Sequence, residues 1–245
     1  MTATTPHDLL MQHCDAALFD LDGVLTPTAT VHMAAWAKMF NAFLAERGID
    51  RPYTDEDYFT YVDGKPRYDG VRSFLESRDF SLPEGDPSDS PDAETVCGLG
   101  NRKNTAFSAV LAADGVTPYP GSVALVDYLI AQGKAVAVVS SSANARDVLA
   151  AAGLSDRFGL VVDGVLARRE GLPGKPAPDT YRFAAHSLGV PASRAVVFED
   201  AVSGVAAGHA GDFGLVIGVD RGVGAEELII HGADLVVTDL ADLLP

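Results

Sequence analysis

Short unbroken apolar runs punctuate the chain, and the stretches between them repeat their apolar positions at a helical period. The first run, Ala16-Ala-Leu-Phe-Asp20, ends on an acid. Five more follow at Ala135–Ser140, Leu160–Asp163, Ala195–Glu199, Gly214–Gly218 and Asp234–Val237. Each is continuous rather than alternating, the pattern of a strand buried on both faces. Between them, Val123–Ala131, Ala143–Ala152, Asp179–Leu188, Val202–Ala210 and Ala225–Ile230 read as helices. Strand alternating with helix predicts an α/β fold: a Rossmann-like parallel sheet with helices on both faces and right-handed crossovers. Ligands bind such sheets beyond the carboxyl ends of the strands, where Asp20, Ser140 and the pair Glu199-Asp200 stand.

Residues 27–116 break this rhythm and show no clear buried strand. Val31–Arg47, closed by Gly48, reads as a helix. Thr54–Tyr61, Asp69–Arg78 and Ala93–Ala112 read as further helices, and Ser81–Pro91, rich in Pro, Ser, Asp and Gly, as a loop. The expectation is an all-helical cap domain, 27–116, inserted after the first strand of a catalytic core made of 1–26 and 117–245. The joins near Thr26-Pro27 and Val116-Thr117-Pro118 would be the hinge.

Composition narrows the function. With 47% hydrophobic residues in 245, the chain can build a sizeable core. A formal net charge of −16 argues against nucleic-acid binding, which needs a basic face. It leaves an anionic substrate open, because a few cations focused in a cleft outweigh a distant, screened surface field. Cys14 and Cys97 have no metal-ligand spacing. Met1–Cys14 lacks the pattern of a secretory leader, and no apolar run is long enough to span a membrane. A cytoplasmic monomer with no membrane partner is expected.

Phe19-Asp-Leu-Asp-Gly-Val-Leu-Thr26 sets two carboxylates two residues apart just past a strand, and Gly23 permits the sharp turn that faces both into one cleft. A carboxylate can attack phosphorus directly and form an acyl-phosphate, the role suited to Asp20. Asp22 can protonate the leaving oxygen and deprotonate the incoming one. The plainer alternative is an Asx turn or a helix cap.

With its later motifs, the sequence resembles the haloacid dehalogenase superfamily, whose phosphotransferases carry D-x-D-G after the first strand. Val139-Ser-Ser-Ser142, Gly174-Lys-Pro-Ala-Pro-Asp179 and Val197-Phe-Glu-Asp-Ala201 match in order. The resemblance implies that Ser140 and Ser142 bind the transferring phosphoryl group, with Asn144 helping just inside the next helix. It implies that Lys175 lies between Asp20 and the phosphate. It also implies Mg²⁺ among Asp20, Asp22, Glu199 and Asp200, with Asp200 a direct ligand and Glu199 acting through water. Taken singly, the Ser run could simply cap a helix, Lys175 could be a solvated loop residue, and the acid pair could be two caps.

The inserted region resembles the β-phosphoglucomutase branch. In Val31-His-Met-Ala-Ala-Trp36, the likeness gives His32 a part in setting the protonation of Asp22, assisted by Thr28, and places Trp36 at the substrate; solvation and ordinary packing are the alternatives. Arg67, in Val62-Asp-Gly-Lys-Pro-Arg67, is the candidate for the sugar's distal phosphate, with Lys65 as alternative. In Gly100-Asn-Arg-Lys-Asn104, Lys103 and Asn104 would contact the sugar phosphate, while Arg102 fits a charged helix face. The implied activity is isomerisation of β-glucose 1-phosphate to glucose 6-phosphate through a hexose bisphosphate. The sequence departs from that branch at Pro27, in its triple Ser, in its wide Asp-Gly-Lys-Pro-Arg loop and in the long acidic stretch Asp79–Thr95. A sugar-phosphate phosphatase and a non-catalytic sugar-phosphate binder are therefore the competing readings.

Overall fold

The computed structural model describes residues 5–245, so the first four residues of the Met1–Cys14 segment lie outside it. In chain order the strands are β1 (Ala16–Phe19), β2 (Ala135–Val139), β3 (Leu160–Val162), β4 (Ala195–Glu199), β5 (Leu215–Val219) and β6 (Leu235–Val237). The helices are α1 (Pro6–His13), α2 (Thr28–Glu46), α3 (Asp55–Asp57), α4 (Arg67–Glu76), α5 (Val96–Asp114), α6 (Pro120–Ala131), α7 (Ala145–Ala151), α8 (Gly164–Arg169), α9 (Asp179–Ser187), α10 (Val202–Ala210) and α11 (Ala225–Ile230). The chain divides into two compact units, one running to Pro27 and resuming at Val116–Pro245, the other Thr28–Gly115.

The first unit is a parallel sheet of order β3-β2-β1-β4-β5-β6. Its central strand β1 is wholly buried, which explains a run with no polar position until Asp20. Ala16 is level with both Ala135 and Ala195, so Phe19, Val138 and Phe198 lie side by side. The residues that follow therefore leave the sheet together at its carboxyl edge. Leu18, Val139 and Val197 pack with Tyr181 and Ala184 of α9 in one apolar cluster.

Two short helices lie outside the periodic pattern. α1 is started by a capping box between Thr5 and Asp8 and buries Leu10. Its His7 Nδ1 is 3.0 Å from the Leu243 carbonyl, on a 3₁₀ turn at Leu240–Leu243. α8 starts at Asp163, whose Oδ1 accepts from the N–H groups of Val165 and Leu166. The acid that ends the third apolar run is thus a helix cap.

The second unit packs its helices around Trp36, Phe40, Phe43, Phe74 and Leu99. The segment expected as one regular helix over Thr54–Tyr61 is instead α3 running into a wider π turn, Tyr58–Val62, closed by Asp63 N–H donating to Tyr58 O at 2.9 Å. That turn buries both Tyr58 and Val62. Arg78 and Asp57 form a buried ion pair at 2.7 Å. The loop before α5 satisfies that helix's first N–H groups: Val96 donates to Pro83 O and Cys97 to Glu84 O, both at 3.0 Å. No described helix is long and apolar enough to cross a membrane.

Candidate active site

β1 delivers Asp20 to the edge of the sheet, where its N–H still donates to Phe198 O of β4 at 2.9 Å. The chain then turns sharply: Gly23 has φ +91° and donates to Thr26 O at 2.7 Å. A side chain at Gly23 would occupy the place of the Asp200 carboxylate, so glycine is required both for the turn and for the close approach. Glu199 is the last residue of the neighbouring strand β4 and Asp200 follows it, and the carboxylates of Asp20, Glu199 and Asp200 lie within 4.8 Å of one another.

Lys175 reaches this group from the loop before α9. Its ammonium has three N–H bonds and three acceptors: Asp20 Oδ1 at 2.5 Å, Val139 O at 3.1 Å and Glu199 Oε1. Burial alone would lower its pKa, but the Asp20 and Glu199 carboxylates outweigh burial and hold it above the ordinary lysine value. Burial pushes Asp20 well up; Lys175 pulls it down, and Glu199 and Asp22 add repulsion. Three acids gathered around one lysine, with oxygen donors only, suit a hard divalent cation.

Glu199 is fully buried and held on every side. Oε1 accepts from Lys175 and from the Tyr181 hydroxyl at 2.9 Å, and Oε2 from Ala201 N–H at 3.1 Å. Gly204 on α10 leaves the space that this carboxylate fills. Asp20, Glu199 and Asp200 together could hold such a cation, with Glu199 fixed in place by these bonds. Asp22 stands outside the three-carboxylate cluster and acts on Asp20 through its charge.

Ser140 is buried, and its Oγ accepts from Ser142 N–H at 3.0 Å; Ser142 Oγ accepts in turn from Asn144 N–H at 3.1 Å. These bonds order the loop rather than cap α7, whose N-cap is Asn144 itself, one place before the helix expected to contain it. Gly164 packs its backbone on this loop, donating to Ser142 O at 3.1 Å.

A second polar group lies in the helical unit. Arg67 Nη2 donates to Asn104 Oδ1 at 2.7 Å. Lys103, 3% exposed, bonds to His32 Nδ1 and lies 4.9 Å over the Trp36 ring and 5.1 Å over Phe107. An ammonium can only donate, which makes His32 Nδ1 the acceptor of this pair. His32 also stacks on Phe107 at 4.0 Å. Trp36 stacks on Phe40 inside the apolar cluster, and Thr28 is buried at the start of α2. Lys65 donates to Ser73 Oγ at 2.9 Å, away from these residues, and Arg102 to Pro91 O at 2.8 Å.

Two residues at the core site carried no motif signal. Tyr181 has the spacing of an ordinary core residue of α9; its hydroxyl on Glu199 and its ring, 5.0 Å from the Lys175 ammonium, give it a part. Arg221 Nε donates to Gly23 O at 2.8 Å and its guanidinium lies 3.9 Å over Tyr119, which fastens the Asp20–Thr26 turn from a distant segment.

Residues 14–212 match the model of a haloacid dehalogenase-like hydrolase. A β-phosphoglucomutase of Mycobacterium tuberculosis is 54% identical over 238 residues, covering 94% of this chain and 91% of that protein. The crystal structure of β-phosphoglucomutase from Clostridium difficile superposes with a TM-score of 0.76 at 25% identity, over 94% of this chain and 93% of that one. CbbY from Rhodobacter sphaeroides, solved in complex with xylulose-(1,5)bisphosphate, superposes at 0.73 and 25% identity, over 94% and 96%.

Proposed function

The chain belongs to the haloacid dehalogenase-like hydrolase family, in its β-phosphoglucomutase-like branch, and on that premise we propose that it interconverts β-glucose 1-phosphate and glucose 6-phosphate through a phosphorylated Asp20. It is a phosphoryl-transfer enzyme; the phosphorylated aspartate, the magnesium, the acceptor and the sugar are the proposal. The observation that carries it is the buried lysine shared between Asp20 and Glu199, with Asp200 alongside.

In this reading an Asp20 oxygen attacks phosphorus, and the bond from phosphorus to the sugar oxygen breaks. Asp22 gives its proton to that oxygen. In the return step Asp22 takes the proton of the other sugar hydroxyl, which attacks the phosphoryl group and frees Asp20. Lys175 steadies Asp20 and adds positive charge beside the phosphate, and Ser140, Ser142 and Asn144 hold the phosphoryl oxygens. Magnesium held by Asp20 and Asp200, with Glu199 and Asp22 nearby, would neutralise charge on those oxygens. Arg67, Lys103 and Asn104 read the phosphate that is not transferred, Trp36 contributes to substrate recognition, and His32, assisted by Thr28, helps set the protonation of Asp22.

A phosphatase uses the same first half-reaction but lets water attack phospho-Asp20. Incubation with β-glucose 1-phosphate, a trace of glucose 1,6-bisphosphate and Mg²⁺, followed by ³¹P NMR, separates the two. Glucose 6-phosphate forming much faster than inorganic phosphate is the expected result. Inorganic phosphate as the main product would make the enzyme a phosphatase.

A further inference from the structure

The acidic stretch before α5 has no part in the chemistry above, yet it is linked, through one side-chain amide, to the arginine given the distal phosphate. The connection is Asn101, whose side-chain amide uses both of its N–H groups and accepts twice. Nδ2 donates to Pro87 O at 3.1 Å and to Asp89 O at 2.9 Å. Oδ1 accepts from Arg67 Nη1 at 3.3 Å and from the Tyr68 hydroxyl at 3.0 Å. Two carbonyls on one side can be met only by the NH₂ group, so the partners decide which way the amide faces.

The surroundings are built to keep it there. A side chain at Gly100 would meet the Tyr68 ring at 2.8 Å and Arg67 Cδ at 3.1 Å, so glycine lets both lie close on α5. The loop is tied to α5 through Pro83 and Glu84, to Arg102 through Pro91, and internally through Thr95 Oγ1 donating to Asp89 at 2.6 Å. Arg67 is therefore gripped by two amide oxygens, those of Asn101 and Asn104. Neutral amides fix the plane of a guanidinium without neutralising it, whereas carboxylates at those places would compete with phosphate for the fork.

We propose that Asn101 is a positioning residue for Arg67, with the Pro83–Pro91 loop as its buttress, and that together they set selectivity for a sugar bearing a second phosphate. The inference rests on the role given to Arg67 above. An arginine already held in one rotamer loses less side-chain freedom when phosphate arrives. Loss of Asn101 therefore shows as weaker binding of the doubly phosphorylated sugar.

The test is steady-state kinetics of wild type, Arg67→Ala, Asn101→Ala and the double variant. One reaction is β-glucose 1-phosphate turnover with the 1,6-bisphosphate as the varied ligand; the other is hydrolysis of a small aryl phosphate. Arg67→Ala is expected to lower kcat/KM for the sugar about 30- to 150-fold, with far less effect on the aryl phosphate. Asn101→Ala is expected to raise KM for the bisphosphate roughly three- to tenfold more than for the aryl phosphate. It should cost little more when Arg67 is already alanine. Asn101→Asp keeps the volume but loses both donors to the loop, so it should raise KM at least as much. Asn101 losses that are equal on both substrates, or that multiply fully in the double variant, overturn the positioning role. Equal losses from Arg67→Ala on both substrates overturn the assignment of Arg67, and the inference with it, whatever Asn101 does.

Discussion

Lys175 spends its whole hydrogen-bonding capacity on Asp20, Glu199 and the end of β2, so the position of the Asp20 carboxylate is fixed before any substrate arrives. Asp20→Asn keeps the shape and one acceptor oxygen for Lys175 but removes the anionic nucleophile. The expected outcome is a folded protein, unchanged in circular dichroism, that forms no acid-stable, base-labile phosphoenzyme from labelled bisphosphate and turns over at least about 10³-fold more slowly. Turnover near the wild-type rate would remove the nucleophile role from Asp20. Both partners of this contact were visible in the sequence because D-x-D-G and K-P-x-P-D are local strings. Tyr181 and Arg221 were not, since a hydroxyl or guanidinium acts here across the fold and leaves no spacing behind.

Among elements, the apolar runs were legible because a strand buried on both faces tolerates no polar residue, and all six form one parallel sheet. The short helices α1 and α8 are held by caps and packing rather than by a periodic stripe, so periodicity missed them. The π turn after α3 was equally silent, as its pattern differs from an α-helix by a single residue. α10 meets the site through Gly204, whose missing side chain leaves room for Glu199. Gly204→Ala is expected to displace that carboxylate, lower kcat more than about tenfold and cost about 1–3 kcal/mol in urea unfolding. Between α3 and α4, burial works against the charge of Asp57, but the Arg78 guanidinium and the Thr54 bonds outweigh it and hold its pKa below the ordinary value. A depressed carboxyl stabilises the fold above its unfolded pKa and loses that contribution as pH falls through the folded one. Stability of the helical unit should therefore decline below about pH 4. The fluorescence of Trp36, the only tryptophan in the sequence, reports it from inside that unit's core. Asp57→Asn should flatten this acid dependence while lowering stability near neutrality, because it leaves Arg78 buried without its countercharge.

For the molecule as a whole, the inserted stretch of helices packs an apolar cluster of its own, and the sheet unit packs others on its strands. Against a net charge of −16 the molecule keeps a cation deep inside it: Lys175 stays charged because Asp20 and Glu199 outweigh its burial. In the core unit a closure joins two elements far apart in sequence: α1 and the 3₁₀ turn at Leu240–Leu243 meet through His7 and the Leu243 backbone, and both Leu10 and Leu243 are fully buried. Leu243→Ala should cost about 2–5 kcal/mol, read as a lower urea midpoint by far-ultraviolet circular dichroism, with kcat of the folded fraction kept. A loss below about 0.5 kcal/mol would show that this closure is dispensable.

The central place of β1 also sets a timetable. The strand leaves the ribosome early, yet its flanking partners come late: Asp15 meets Lys134 across 119 residues and Arg194 across 179. At about 5–20 residues per second the second partner arrives roughly 9–36 s after the first strand. The helical unit is one continuous stretch of chain and is complete in the meantime. Nascent protein arrested once Gly115 has cleared the exit tunnel should therefore already protect the helical unit from protease, while Asp20 waits for the lysine that will hold it.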